Sequence, residues 1–314
     1  MYYPYFRGKQ NELITIRENA LLLKQSGFVP IIEPVKSSFG GLEKALSAII
    51  EVEGEAIIIV NPFYGDHSHS SEEIVAFFKD GIAQNGNISS GILLTADISA
   101  DEVVQLCADF NDRLITLVHA GFTEAKLLVE GLSDSVSEMR HVFVEDDCGK
   151  LYRRNFKSQQ RVLLRDGFQK RTNREHPPIE FFSDLHITYD EESVEGFGDF
   201  LIVGNDYAEG GGPAYAIAIH LTFIDSDNDN AMYIHHFKSI RQDDPKDPAG
   251  KFAEALEKMV VEINRPGSNI LKTKAVQEFL DLHERGHFPG LGYVKKLSMQ
   301  HHIEALAHYF ESIA

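Results

Sequence analysis

Cysteine, long apolar runs and positive charge are all scarce in this chain. Cys107 and Cys148 are the only cysteines in 314 residues, which excludes a disulfide-stapled scaffold and fits a reducing compartment, so the cytoplasm is the expected location. No apolar run approaches the roughly 18 residues needed to cross a bilayer, and the opening "MYYPYFRGKQNE" is not a signal peptide. No membrane partner is expected. Lys and Arg number 30 against 48 Asp and Glu, a net charge of -18, which argues against nonspecific binding of duplex nucleic acid over the whole surface. No low-complexity linker or short repeat divides the sequence. The 43% of hydrophobic residues, beside 25% charged, suffices for a soluble protein with a sizeable core.

What is present is a regular alternation. Apolar runs at 2–6, 28–34, 55–61, 91–97, 113–120, 140–146, 179–184 and 199–206 read as strands, several apolar enough to be covered on both faces. Between most of them lie stretches with apolar residues three and four apart, such as "GLEKALSAIIEV" and "SADEVVQLCADFN", the latter opening on a serine cap with acids in the first turn. Eight strand–helix repeats predict an α/β fold of the (β/α)8 TIM-barrel type. An open doubly wound sheet is the alternative, but no glycine fingerprint follows the first strand. "PAYAIAIHLTFI" and "NAMYIHHFKSI", joined by "DSDNDN", predict a β-hairpin that leaves the identity of strand eight open. A helix restarts at Asp247-Pro248, and more helix follows. The expected organisation is one barrel domain over 1–314, with a basic insertion at 150–178, a Gly-rich loop and hairpin at 207–240, and a helical extension at 272–314.

In such barrels the chemistry lies at the C-terminal strand ends. Reading those ends gives Lys9, Glu33, Asn61, His119, Asp146 and Asp184. Strands often end on Asp or Asn only to start a turn. Glu33 and His119 follow apolar strands without obvious capping work and are the strongest candidates.

Residues 150–174 hold nine of the 30 Lys and Arg and a single acid, Asp166. Arg153, Lys157, Arg161 and Arg165 recur every four residues, so a helix would align them as a stripe able to bind phosphate. A solvated basic face is the plainer reading. Gly210, Gly211 and Gly212 could let main-chain N–H groups approach an anion, or form only a flexible lead-in to the hairpin. His67 and His69 have the H-x-H spacing of metal hydrolases but sit in a Ser-rich loop, where solvated histidines are expected. "DLH" at 184–186 resembles half of a phosphoesterase motif whose second histidine is absent. The His pairs at 235–236 and 301–302 do not suggest chelation.

"YYPYFRGKQNELITI" and "VPIIEPVK", through Tyr3, Pro4, Lys9, Glu12, Pro30 and Glu33, resemble the beta protein family of phages and bacteria. "GFGDFLIVG" and "GGGPAYAIAIHLT" resemble a bacterial subgroup of it. The resemblance brings no established activity. It implies a phage-defence or mobile-element context and a protein partner encoded nearby. Where many members have Lys-x-Lys this chain has "RGK", so the likeness favours Lys9 over Arg7.

Two functions follow as expectations. One is a metal-assisted hydrolase or lyase acting on a phosphate-containing small molecule or nucleic acid. Glu33, Asp146 and Asp184 would hold Mg²⁺ or Mn²⁺, His119 would be the acid or base, Lys9 would polarise the substrate, and Asn61, the arginines and the glycines would bind it. The other is a binding module that uses the basic segment as its interface.

Overall fold

The β-branched runs form short parallel strands in the computed structural model, which describes residues 1–313 apart from 69, 71, 82–84, 111, 112, 159, 211 and 213, and apart from the side chain of residue 80. The strands are β1 (Tyr5–Phe6), β2 (Ile31–Ile32), β3 (Ala56–Ile59), β4 (Ile88–Leu94), β5 (Ile115–His119), β6 (Arg140–Val144), β7 (Arg161–Leu164), β8 (Ile179–Ser183), β9 (Gly196–Gly198), β10 (Ala218–Asp225) and β11 (Ala231–Lys238). The helices are α1 (Gln10–Glu18), α2 (Ala20–Gln25), α3 (Gly40–Glu51), α4 (Glu72–Asp80), α5 (Ala100–Asp109), α6 (Ala125–Leu132), α7 (Lys150–Arg153), α8 (Leu185–Thr188), α9 (Pro248–Ile263), α10 (Lys274–Arg285) and α11 (Leu291–Ile313). None is long and apolar enough to cross a membrane among the described residues. The chain groups into two compact units, residues 1–166 with 188–200 and residues 167–187 with 201–314.

The first unit is the expected (β/α)8 barrel. Eight parallel strands run in the order β1-β2-β3-β4-β5-β6-β7-β9. Closure comes from the Tyr3 N–H donating to the Phe197 carbonyl at 2.8 Å and the Tyr5 N–H donating to that of Asp199 at 2.9 Å. Gly198 makes this close approach feasible, since a Cβ there would collide with the Tyr3 carbonyl and the Leu164 side chain. Tyr5, Ile31, Ile57, Leu93, Val118, Val142 and Leu164 belong to one buried cluster that fills the interior. Side chains alternate along a strand, so their neighbours in sequence, His119 among them, face the outer layer. The serine cap of α5 is present as a full capping box between Ser99 and Glu102.

The last two barrel strands differ from the sequence reading. Strand seven is Arg161–Leu164, inside the basic run, and strand eight is the three-residue β9, "GFG". The run at 179–184 is instead β8 of an antiparallel sheet, where Ile179 and Phe181 alternate outward, about half exposed. The run at 199–206 is no strand, and Leu201 turns the backbone with φ of 51°.

In the second unit the expected hairpin is β10–β11, paired from Ala218↔Lys238 to Asp225↔Ala231, with β8 added to β11 in the order β10-β11-β8. Ile219, Leu221 and Phe237 share a core with Phe252, Leu256 and Met259 of α9, Val276 and Phe279 of α10, and Leu297 of α11. Asp247 caps α9 by accepting from the Gly250 N–H at 3.0 Å, and Pro248 occupies the first turn.

Candidate metal centre

At the barrel mouth, β1 and β2 bring Arg7 and Glu33 together as a buried ion pair. Glu33 Oε2 accepts from Arg7 Nε and the Tyr5 hydroxyl, both at 2.9 Å. Its Oε1 accepts from the main-chain N–H groups of Phe63 at 3.0 Å and Tyr64 at 3.3 Å. The Arg7 guanidinium also lies 4.9 Å from the Tyr64 ring centroid and 5.7 Å from that of Phe200. Four donors occupy the carboxylate, so a cation could bind Glu33 only by displacing them. Asn61 is engaged too, exchanging hydrogen bonds with the Leu93 main chain at 2.9 and 2.8 Å, as a continued strand would. Lys9 stands half-buried at the start of α1.

His119 is not brought to this mouth. Its ring lies in the outer layer, 4.7 Å from Phe143 and 4.3 Å from Phe156, centroid to centroid. His141 Nε2 is 2.8 Å from the Val136 carbonyl and must donate to it, so its Nδ1 accepts from His119 Nε2 at 3.0 Å. His119 Nδ1 then accepts from the Tyr152 hydroxyl at 2.7 Å. Burial, reinforced by His141, holds the His119 pKa well below its usual value. Asp146 is exposed in the turn at 145–147, and Asp184 belongs to the second unit. The proposed ligands Glu33, Asp146 and Asp184 are therefore divided between the units, and His119 faces away from Glu33.

The basic run forms no helical stripe, because Arg161 opens strand β7 and Arg165 follows its end. Its charges are largely met by acids from elsewhere. Arg153, 4% exposed, pairs with Glu192 at 3.0 Å, as does Lys150. Arg161 donates through its main chain to Glu195 at 2.8 Å and through its guanidinium to the Ser193 carbonyl at 2.8 Å. Arg165 grips Glu145 with two nitrogens, at 2.5 and 3.1 Å. Lys157 is exposed. The expected helical alignment is thus replaced by a set of contacts within the chain.

The residues that do converge lie in the second unit. Cross-strand pairing puts His220 of β10 opposite His236 of β11, on one face of the sheet, with their Nδ1 atoms 2.6 Å apart. Glu180 of β8 reaches the same place. Pro177 and Pro178 keep the approach to β8 extended, so His176 folds back onto Glu180 instead of standing one helical turn away. His176 Nδ1 and His236 Nε2 lie 3.3 and 3.0 Å from the same oxygen, Glu180 Oε1. Phe168 packs against all three imidazoles. This His176–Glu180–His236 group could hold a metal ion, its three donor atoms lying within 4.8 Å of one another. Around a zinc-like ion with bonds of about 2.1 Å, tetrahedral ligand atoms stand about 3.4 Å apart.

The protonation states suit that role. Burial keeps His236 down at about 4 and lowers His176 and His220 as well, so all three are neutral at pH 7. Burial alone would raise Glu180, but hydrogen bonds from Arg171 and His176 outweigh it and keep the carboxylate charged. Arg171 Nη1 donates to both Glu180 oxygens, at 2.7 and 2.6 Å.

A cavity of about 660 Å³ is lined by Arg171 and His220, the partners of Glu180 and His236, and by Arg174, Lys295 and Gly212 among others. None of its described lining residues is Asp or Glu. Three cations without an acid form an unusual wall in a chain of net charge -18. Gly212 is the part of the glycine loop that reaches it. Gly210 does not line it, and Gly211 lies outside the described residues, as does His69. His67 is engaged with the Lys36 carbonyl at 3.2 Å and stacks on Phe39. His186 reaches the Asn230 carbonyl at 3.0 Å.

Sequence reasoning passed over His176, Glu180 and His220, and it set aside the His pair at 235–236, of which His236 belongs to the group that could hold a metal. The hairpin alone could have revealed His220 and His236 as neighbours, because pairing outward from the Asp225–Ala231 turn sets 220 against 236. Fold and site together define a (β/α)8 barrel protein whose second unit carries a His/Glu group able to hold a metal. No protein-family model matches the chain, and no curated protein matches it.

Proposed function

We propose that the chain is a metal-assisted hydrolase of a phosphate-containing substrate, with its centre at His176, Glu180 and His236. The observation that carries this reading is a His/Glu/His ligand set joined to a cavity walled by Arg171, Arg174 and Lys295 through two residues that line it: Arg171, which donates to Glu180, and His220, which meets His236. Two imidazoles and one carboxylate suit Zn²⁺ or a similar first-row ion better than the Mg²⁺ or Mn²⁺ expected from a carboxylate set. His176, Glu180 and His236 would supply three ligands and leave a position for water, whose activation near neutral pH is the chemistry such an ion would contribute. The cations hold the phosphate group and stabilise the charge that builds on its oxygens. His220 supports His236 from behind, as outer partners of metal-bound histidines do. The resemblance of the N-terminal motifs to the beta protein family is the support for a phage or mobile-element setting in this proposal.

The test is calorimetry with Zn²⁺ and Mn²⁺, followed by hydrolysis of a chromogenic phosphate ester. Wild type is expected to bind one ion and to turn over the ester. Chelation and His236→Ala should each abolish turnover, and His236→Ala should weaken ion binding by tenfold or more. An ion affinity that His236→Ala leaves unchanged overturns the proposal.

A further inference from the structure

Glu180 has two claimants. Its Oε1 is the oxygen on which His176 and His236 converge, and it also accepts from Arg171, whose Nη1 bridges both carboxylate oxygens. Arg171 at the same time lines the cation-walled cavity, and its side chain is about one-third exposed. A cation on Oε1 brings a second positive charge to the carboxylate that Arg171 now neutralises. Glu180 cannot satisfy both equally, so an ion weakens the hold on Arg171.

We propose that the cavity is an oxyanion site whose main ligand, Arg171, is withheld by Glu180 until a metal ion takes its place. Phosphate is the group in question, free or as part of an ester, because the wall offers Arg171, Arg174 and Lys295 with no opposing carboxylate among its described residues. A guanidinium forks onto phosphate as well as onto carboxylate, so Arg171 can exchange one partner for the other with little loss. Metal and phosphate then bind with positive coupling. The coupling is reciprocal: phosphate, by drawing Arg171 off, frees Glu180 for the ion. This inference rests on the metal reading above and adds its order of assembly.

The probes are Zn²⁺ and inorganic phosphate, titrated separately and together into wild type, Arg171→Met and Lys295→Met, with thermal melts to confirm folding. A phosphomonoester arm separates free phosphate from an esterified group. In wild type, saturating Zn²⁺ is expected to tighten phosphate by about tenfold, within the usual range of coupling. Arg171→Met should bind Zn²⁺ more tightly than wild type, bind phosphate weakly, and show no coupling. Lys295→Met should weaken phosphate while leaving the Zn²⁺-dependent gain in place. If Arg171→Met keeps the full coupling, phosphate is meeting the ion directly and the arginine exchange is overturned while the metal reading stands. If neither wild type nor Arg171→Met takes an ion, the metal reading itself falls, and this inference with it.

Discussion

Two carboxylates, each paired with an arginine, serve different ends in this molecule. Glu33 at the barrel mouth is 1% exposed and shares its oxygens among Arg7, Tyr5 and two main-chain N–H groups. Those N–H groups belong to the chain path after β3 and cannot be withdrawn without moving it. Glu180 is 15% exposed, and all its partners are side chains that can turn or exchange protons. A carboxylate held by main-chain donors is a structural clamp. One held by imidazoles and a partly exposed guanidinium beside a cavity can change partners, and that is what a ligand site needs.

The largest expected effect is on the clamp. Glu33→Ala leaves the Arg7 guanidinium buried without its counter-charge, and breaking a buried pair from one side costs about 3–5 kcal/mol. Urea denaturation should show that loss in the barrel unit, with Zn²⁺ affinity unchanged. Glu180→Gln should do the reverse, abolishing ion binding at a stability cost nearer 1 kcal/mol. If Glu33→Ala also removes the ion, the metal centre has been put in the wrong unit.

Acid should separate the units next. In the second unit burial lowers His176, His220, His236 and His301, with His236 and His301 each at about 4; in the barrel it lowers His119 and His141, the latter also to about 4. A histidine depressed in the folded state takes up its proton more readily when unfolded. Stability is therefore intact above the ordinary pKa near 6.5 and falls as pH drops, the loss levelling off near 4 for His141, His236 and His301. Each such group forfeits at most about 3 kcal/mol over that window. Protection against hydrogen exchange, corrected for intrinsic rates, should fall further in β10 and β11 than in β4 and β5 between pH 7 and pH 4.5. Equal losses would mean that the histidines of the second unit are not held neutral.

The barrel was legible wherever strands are long and apolar. β3 to β6 announce themselves through runs such as "AIII" and "RHVFV". The last two strands did not, because β7 lies in a basic stretch and two of the three residues of β9 are glycine. Barrel closure imposes those strands against local preference. The apolar run at 199–206 predicts a strand, but its first residues close the barrel by main-chain contact and Leu201 then turns away. Glu33 was legible as a buried polar group at a strand end, yet nothing in the sequence says that Phe63 and Tyr64 would saturate it. His176 and Glu180 were hidden by Pro177 and Pro178, which exclude a shared helical face and conceal that a fold-back joins them. The surplus of positive charge at 150–174 was real, but its acidic partners, Glu145, Glu192 and Glu195, lie too far along the chain for a local reading to find them.

Lys157 offers the smallest effect and the sharpest contrast within that basic run. It is exposed, whereas Arg153 and Arg161 are tied down and Arg171 and Arg174 border the cavity. A surface charge that makes no fixed contact contributes within about 0.5 kcal/mol to folding. If the run acts as a set of clamps, Lys157→Glu should leave the melting temperature, Zn²⁺ affinity and phosphate affinity at their wild-type values. A drop in phosphate binding comparable to that of Lys295→Met, persisting at high salt, would restore the basic run as a continuous anion surface.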